Sequence, residues 1–330
     1  MAEFTPITVL TGFLGAGKTT VLNHLLRQPA LARTAVLVNE FGAIGIDHLL
    51  VEKLDENTVL LNAGCLCCTV RGDLTRVLRE MLPRARRGEI ARIVIETTGL
   101  AEPAPILATL MTDPVAASAY RLDGVATVID AVAGLTNLTA YPEAVRQIAV
   151  ADRIVLTKTD LADAAPLRAK IAVLNPGAPV IAADHGAIDP MAILNAGLFD
   201  PGTKASDVAG WLRAEAHENH HEHDPRVTSF CLTFDEPLRW QGIGPWLEML
   251  IQTHGGNLLR VKGILNLQGR DRPVAIQAVQ HVLHPPALLS AWPAGDPRTS
   301  RLVFITQDLP RAAIEDGLRA FVAAAAKIAV

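Results

Sequence analysis

Residues Gly12-Phe13-Leu14-Gly15-Ala16-Gly17-Lys18-Thr19 decide the fold class of the first half of this chain. They match the phosphate-binding pattern G-x-x-x-x-G-K-[ST]. An apolar strand, residues 7–10, leads into the string, and a helical segment, residues 20–26, follows it. Glycines let backbone N–H groups point at phosphate oxygens, and the helix N-terminus favours the same anion. The pattern predicts a nucleoside triphosphate site, and the alternative is a glycine-rich turn with a solvated lysine.

Three side chains are predicted to act on the triphosphate, and Thr20 completes the segment that contacts it. Lys18 should reach the β- and γ-phosphates, and the hydroxyl of Thr19 should hold Mg²⁺. Glu96 ends the apolar run 93–95 and precedes Thr97-Thr98-Gly99. An acidic residue at the end of a later strand positions Mg²⁺ in phosphate-loop proteins, so Glu96 is predicted to do so here. The alternative is a solvated acid at a strand end.

Length and composition indicate two globular domains. The chain has 330 residues, 50% of them hydrophobic, and a formal net charge of −4. That charge gives no electrostatic reason to expect nucleic acid or an anionic membrane as the main partner. Residues 1–6 lack the features of an export signal, and no uncharged apolar run approaches the roughly 18–20 residues that span a bilayer. A cytoplasmic location is therefore predicted.

Short apolar runs alternate with helix-periodic segments through residues 1–202. Because the runs are continuously apolar, we expect a mostly parallel sheet covered by helices on both faces, the α/β fold of a P-loop NTPase. The predicted strands are Ile7–Thr11, Ala35–Asn39, Thr58–Asn62, Ile93–Glu96, Val125–Ile129, Ile154–Thr157 and Val180–Ala182.

Residues 203–225 are predicted to be a polar, His-rich linker, and residues 226–330 a smaller C-terminal α+β domain with an antiparallel sheet. Its predicted strands are Thr228–Phe234, Leu258–Leu267, Val274–His281 and Arg301–Thr306, and its helices are Ile243–Thr253 and Arg311–Ala325.

The string Thr157-Lys158-Thr159-Asp160 follows a buried strand and predicts the choice of base. The carboxylate of Asp160 can accept both the N1–H and the exocyclic amine of guanine, a donor pair that adenine does not offer. Lys158 can lay its apolar stem across the ring face. The string resembles the guanine-reading [NT]-K-x-D motif, with Thr157 where Asn is more common. Its order after the phosphate loop and Glu96 favours GTP, and the alternative is a chance match.

Cys65, Cys67 and Cys68 lie between a strand and a helix that we expect to begin near Asp73. Neighbouring cysteines would form strained disulfides, so clustered thiols indicate metal or redox chemistry. The helix N-terminus and nearby Arg71 favour thiolates, which suit Zn²⁺ as well as Co²⁺ or Cu⁺. An open, exchangeable metal site is predicted, with buried structural cysteines or a redox dithiol as alternatives.

Together these motifs resemble those of the CobW-like family of metal-linked GTPases, and the resemblance covers nearly the whole chain. The matching segments are Gly12–Thr19, Asn39-Glu40-Phe41-Gly42, the C-x-C-C cysteines, Glu96–Gly99, Thr157–Asp160 and Arg260–Gly263. The family includes cobalamin-biosynthesis proteins, zinc-transferring chaperones and nitrile hydratase activators. The resemblance implies a GTP hydrolase that carries Zn²⁺ or Co²⁺ on the C-x-C-C loop and delivers it to a client metalloprotein or metal-inserting complex. It also implies nucleotide contacts from Asn39 and Glu40, with a homodimer as an open alternative for the assembly.

Two departures from the family pattern bear on the site. Many members carry Glu after N-E-F-G, where this chain has Ala43, so Glu40 and Asp47 become the acidic candidates, with Asp47 assigned to magnesium. Thr157 in place of Asn should weaken the anchoring of the base-binding loop. The histidines of residues 217–223 could collect metal loosely, or the segment could be a solvated linker.

The expected mechanism couples nucleotide and metal. GTP orders the loops at 42–47 and 97–99 and shapes the cysteine site, while hydrolysis, expected to be slow, releases the metal. Three rival functions remain: a passive metal-storage protein, an ATP-dependent small-molecule kinase and a signalling GTPase without metal transfer. Only the first rival has a use for three thiols, and only the last has a use for Asp160.

Overall fold

The computed structural model describes residues 4–39, 59–63, 66–194, 196, 226–293 and 295–327, with side chains described outside 39, 59–63 and 66–73. The chain divides into two compact units. One comprises Met1–Ile171 and Ala178–Gly197, and the other comprises Ala172–Gly177 and Leu198–Val330. The predicted linker, 203–225, and the predicted boundary at 202 lie outside the described residues, so these limits stay predictions.

The first unit contains a sheet in which all pairings between neighbouring strands are parallel, as the apolar runs predicted. Its strands are β1 Thr5–Gly12, β2 Thr34–Asn39, β3 Val59–Ala63, β4 Arg92–Glu96, β5 Tyr120–Asp130, β6 Arg153–Thr157 and β7 Val180–Ala182. The order across the sheet is β3-β2-β4-β1-β5-β6-β7. Strands β1, β4, β5 and β6 therefore lie side by side in the centre, and their carboxyl ends form one edge.

Helices connect these strands and bury both faces of the sheet. They are α1 Lys18–Leu26, α2 Leu66–Arg86, α3 Ala104–Thr112, α4 Pro114–Ala119, α5 Gly134–Ala140, α6 Pro142–Ala149, α7 Ala165–Leu174 and α8 Pro190–Ile193. On one face, Val21 and Leu22 of α1 pack with Val94 and Val128. The alternate residues of the strands, such as Ile95, are also fully buried, as expected for strands covered on both sides.

Helix α2 begins earlier than the sequence predicted. We expected a loop up to Asp73, but the helix starts at Leu66 and continues through Gly72. A glycine inside a helix costs about 1 kcal/mol relative to alanine, and it does not by itself end the helix. Beyond this residue, the fully buried Leu74 and Leu78 supply the apolar face that holds the helix against its neighbours.

The second unit contains an antiparallel sheet with two long helices, and this confirms the predicted α+β domain. Its elements are β8 Val227–Phe234, α9 Trp240–His254, β9 Leu258–Leu265, β10 Val274–Val279, β11 Val282–Leu283, β12 Ala287–Leu288, β13 Ser300–Gln307 and α10 Arg311–Lys327. The strand order is β11-β10-β9-β13-β8, and β12 pairs with β10. Helices α9 and α10 pack on one face, where Trp246 meets Phe304 edge-on at 6.2 Å between ring centroids.

Candidate functional site

The phosphate loop joins β1 to α1 in a conformation that glycine makes accessible. A Cβ atom on Gly12 would lie 2.2 Å from the carbonyl oxygen of Val128, so a side chain cannot fit between β1 and β5 here. Gly17 has a φ of 89° and directly precedes the first residue of α1. In that left-handed conformation it turns the chain into the helix, whose free N–H groups then face the loop. This is the arrangement that cradles phosphates.

Lys18 is the first residue of α1, and its side chain folds back over the loop. Its ammonium group donates a hydrogen bond to the carbonyl of Phe13 at 3.2 Å, and only 9% of the residue is exposed. The cation therefore already lies at the place where the loop would hold an anion. Movement of the amine from a carbonyl oxygen to a phosphate oxygen would exchange a neutral acceptor for a charged one, which forms the stronger hydrogen bond.

Thr19, in the first turn of α1, meets Glu96 at the end of β4. The Thr19 hydroxyl donates to Glu96 Oε1 at 2.8 Å, and Glu96 is 4% exposed. A second hydrogen bond joins the residue after β4 to β1 beside it: the hydroxyl of Thr97 donates to the hydroxyl of Thr11 at 2.8 Å. A hydroxyl and a carboxylate beside a phosphate loop are hard oxygen donors, which suit Mg²⁺. The residues present therefore fit the ion that the sequence predicted.

The loop after β4 packs directly on the phosphate loop. A Cβ atom on Gly99 would lie 2.5 Å from the backbone nitrogen of Leu14, so only glycine permits this approach. The amide of Gln147, which is 1% exposed, donates to the carbonyls of Gly99 at 3.1 Å and Ala101 at 3.0 Å. Gln147 lies on α6 and had not been predicted from the sequence. The available signal was one polar side chain beside Ala144 and Ile148 on the apolar face of a short helix.

The predicted base-binding segment is held against the phosphate loop by two side chains. The buried hydroxyl of Thr157 donates to the carbonyl of Ala16 at 2.7 Å, with the carbonyl of Ile129 at 3.2 Å as a second acceptor. Lys158 has a φ of 55°, which is uncommon for a residue with a side chain, and its amine donates to the carbonyl of Gly15 at 3.0 Å. Threonine thus anchors this segment through one hydroxyl hydrogen, where an asparagine would offer two amide hydrogens.

Asp130 at the end of β5 completes this anchor and was also missed in the sequence. One carboxylate oxygen forms an ion pair with Lys158, and the other accepts the backbone N–H of Val132 at 2.6 Å. Asp160 follows two residues after Lys158 and is exposed. Within the described parts of the chain its carboxylate has no hydrogen-bond partner. Its carboxylate is therefore open to solvent, as its predicted role in binding the base would require.

The cysteine cluster follows β3 in the sequence. Cys65 lies outside the described residues, while Cys67 and Cys68 belong to the first turn of α2. Free N–H groups and the positive end of the dipole favour thiolates in a first helical turn. Among the described residues, no group of three His, Cys, Asp or Glu side chains could hold a metal ion.

The predicted nucleotide contact at Asn39 lies on the neighbouring strand. β2 and β3 pair in parallel up to Asn39 and Ala63, so the chain leaves both strands from paired positions. Glu40 and Asp47 lie outside the described residues, and their predicted roles stay predictions. The pairing nevertheless means that the Asn39–Gly42 string and the cysteine string start from the same edge of the sheet.

Each of the two units matches a known protein domain. Residues 6–182 match the CobW/HypB/UreG nucleotide-binding domain, and residues 227–322 match the cobalamin synthesis protein CobW C-terminal domain. The zinc chaperone YjiA of Escherichia coli is 34% identical over 92% of this chain and 94% of its own length. The zinc chaperone CobW of Pseudomonas aeruginosa is 35% identical over 95% of this chain and 90% of its own length.

A eukaryotic relative and a solved structure extend the comparison. The zinc-regulated GTPase metalloprotein activator 1 of Schizosaccharomyces pombe is 38% identical over 56% of this chain and 47% of its own length. The crystal structure of Zn(II)-bound YjiA GTPase from Escherichia coli superimposes with a TM-score of 0.72 at 29% identity, covering 97% of this chain and 99% of that one. The chain therefore belongs to the CobW/HypB/UreG family, with both the nucleotide-binding and the CobW C-terminal domains.

Proposed function

We propose that this protein hydrolyses GTP and uses the hydrolysis to deliver zinc to a client metalloprotein. The observation that carries the proposal is the contact between the Thr19 hydroxyl and the Glu96 carboxylate, 2.8 Å apart beside the phosphate loop. It brings together the two predicted magnesium-binding side chains, one at the start of α1 and the other at the end of β4. The relatives named as zinc chaperones and as a GTPase metalloprotein activator support the same function.

Each residue of the triphosphate site has a proposed role. Backbone N–H groups of Gly15, Ala16 and Gly17 hold the phosphates, and Lys18 moves from the Phe13 carbonyl to the β- and γ-phosphate oxygens. Thr19 and Glu96 hold Mg²⁺, which would neutralise charge that develops on the phosphates. We propose slow hydrolysis, because the sequence provides no glutamine or arginine finger that can be assigned to the attacking water.

Guanine is the proposed base, and Asp160 is its proposed reader. The exposed carboxylate can accept the two parallel donors of guanine, while Asp130 and the Gly15 carbonyl hold the Lys158 amine. The stem of Lys158 is thereby directed along the phosphate loop, where it can cover the ring face. An adenine ring would place an acceptor opposite the carboxylate and would be rejected.

Zinc is the proposed cargo, and Cys65, Cys67 and Cys68 are its proposed ligands. Thiolates in and before a first helical turn suit a soft or borderline metal, and two or three ligands leave room for transfer. Cobalt can enter such a site, and the names of the relatives favour zinc. A cytoplasmic location is part of the proposal, since thiols stay reduced there.

The coupling between nucleotide and metal is proposed to run through β2 and β3. The phosphate loop contacts Gly99, and the paired ends of β2 and β3 start the Asn39–Gly42 and cysteine strings. A nucleotide that orders the first string would change the surroundings of the second. A passive metal-storage protein would have no use for the contact between Thr19 and Glu96.

A direct test measures phosphate release from GTP and from ATP by the purified protein, with and without Mg²⁺. Hydrolysis should require Mg²⁺ and prefer GTP, and Thr19→Ala should abolish it because an ion ligand is lost. Thr253→Ala is the matched control, since Thr253 lies on α9 of the C-terminal unit, where its hydroxyl donates to the Met249 carbonyl at 2.8 Å. Equal turnover in wild type and Thr19→Ala would refute the assignment.

A further inference from the structure

A large cavity lies entirely within the C-terminal unit. Its volume is about 890 Å³, in the range of sites that bind ligands. The start of α9, the turn between β9 and β10, β12 and the last turns of α10 surround it. Arg239, Trp240, Arg270, Leu288 and Ala325 are among the lining residues, and we refer to it as the Arg239/Arg270 cavity.

The cavity offers apolar surface both at its floor and at its rim. Leu267 and Val274 at the floor are buried, whereas Trp240 is 37% exposed and Leu288 is 39% exposed. Isolated exposed apolar side chains are common on protein surfaces, but here both line one concave site. Tryptophan is also among the residue types most enriched where proteins bind each other tightly.

The charge of the cavity has one sign. Its lining, as far as the described residues go, includes two arginines and no acidic residue. In the part of the chain that the structure describes, neither the Arg239 nor the Arg270 guanidinium forms an ion pair or a side-chain hydrogen bond. Helix α9 begins at Trp240, so its positive dipole end reinforces the potential at the same wall. A carboxylate in the cavity would therefore meet two cations that form no ion pair with any described residue.

We propose that the Arg239/Arg270 cavity docks an acidic, partly apolar segment of a partner protein. Arginine binds carboxylates with directed hydrogen bonds, and the apolar floor takes the side chains between the acids. Two cations over an apolar floor differ from the extended basic stripe that tracks a nucleic acid backbone. Exposed tryptophan and arginine at one rim favour a protein segment over a free organic anion. The cavity belongs to the C-terminal unit and the phosphate loop to the first unit, and binding of the segment is not expected to require GTP.

The test uses the full chain and a fluorescein-labelled peptide of alternating leucine and glutamate, five residues long and capped at its carboxyl end. Fluorescence anisotropy should show saturable binding by the wild type. Arg239→Gln combined with Arg270→Gln should weaken this binding by roughly tenfold or more, because charge-assisted contacts are lost. The matched control combines Arg298→Gln with Arg319→Gln, which makes the same charge change on exposed residues outside the cavity. It should bind the peptide as the wild type does.

Further arms separate the proposed ligand from other sources of binding. A peptide with glutamine in place of glutamate should not bind, and citrate should not displace the acidic peptide at comparable concentration. Trp240→Ala should also weaken binding, while GTP turnover stays unchanged in every cavity variant. If the double variant unfolds, Arg270→Gln alone, in an exposed turn, decides the question. Absence of peptide binding, equal losses in the control, or displacement by citrate alone would overturn the proposal.

Discussion

Replacement of Thr157 by valine tests whether the base-binding segment depends on the phosphate loop. Valine has nearly the same shape, so the change removes little besides the hydroxyl. That hydroxyl is buried and donates to the Ala16 carbonyl at 2.7 Å, with the Ile129 carbonyl also in reach. A buried carbonyl that loses its donor costs about 1–3 kcal/mol of unfolding free energy. The anchor between β6 and the phosphate loop would be lost at the same time.

Two assays measure the consequence. Calorimetry should show that the melting temperature of the first unit falls by about 2–4 °C for each kcal/mol of unfolding free energy that is lost. Isothermal titration should show weaker binding of GTP, with each 1.4 kcal/mol corresponding to about a tenfold change in Kd. Thr157→Ser is the matched control, since it keeps the hydroxyl and should remain close to wild type. If Thr157→Val matches wild type in both assays, Thr157 does not anchor the segment and this reasoning is wrong.

Three further substitutions test other parts of the site and its support. Asp160→Asn should reduce the affinity for GTP far more than the affinity for ATP in a binding titration. Equal reductions in the two affinities would show that Asp160 does not read the base. Gln147→Leu should lower the unfolding free energy by about 1–3 kcal/mol and reduce GTP turnover, because the buried carbonyl of Gly99 and the part-buried carbonyl of Ala101 lose their donor. Unchanged GTP turnover would show that Gln147 does not support the site. Burial raises the pKa of Tyr120 to about 12, so the unfolded chain loses this proton first and stability should fall between about pH 10 and 12. Denaturant titrations across this pH range should show a smaller fall in unfolding free energy for Tyr120→Phe than for the wild type.

The central parts of the fold could be predicted because their signals are local. The string 12–19 requires glycine for its own backbone, and the continuous apolar runs require burial on both faces wherever they lie in the sheet. The positions of Lys18, Thr19 and Glu96 followed from these signals. The approach of Thr19 to Glu96 followed as well, because parallel strands bring their carboxyl ends to one edge.

The parts that could not be predicted depend on contacts between residues far apart in sequence. β5 begins at Tyr120, five residues before the predicted Val125, because the polar Asp123 pairs with Arg92 of β4 inside the fold. Asp130 and Gln147 bind residues in loops that follow other strands, so the residues next to them in sequence do not indicate their roles. The first turns of α2, from Leu66 to Gly72, were not predicted, because the buried apolar residues that indicate this helix, such as Leu74 and Leu78, begin only after them.

GTP is proposed to control the metal site, so the affinity for zinc should depend on which nucleotide is bound. The Kd for Zn²⁺ is measured by competition with a chromophoric chelator, in Mg²⁺ with either a non-hydrolysable GTP analogue or GDP. Cys67→Ser should lose tight binding in both states, and Lys18→Ala should lose the difference between them. We predict that the GTP analogue lowers the Kd for zinc by about 5- to 150-fold relative to GDP, the usual range of coupling between two sites. Zinc should strengthen binding of the analogue, relative to GDP, by the same factor. Identical zinc affinities with the GTP analogue and with GDP would show that GTP does not control the metal site.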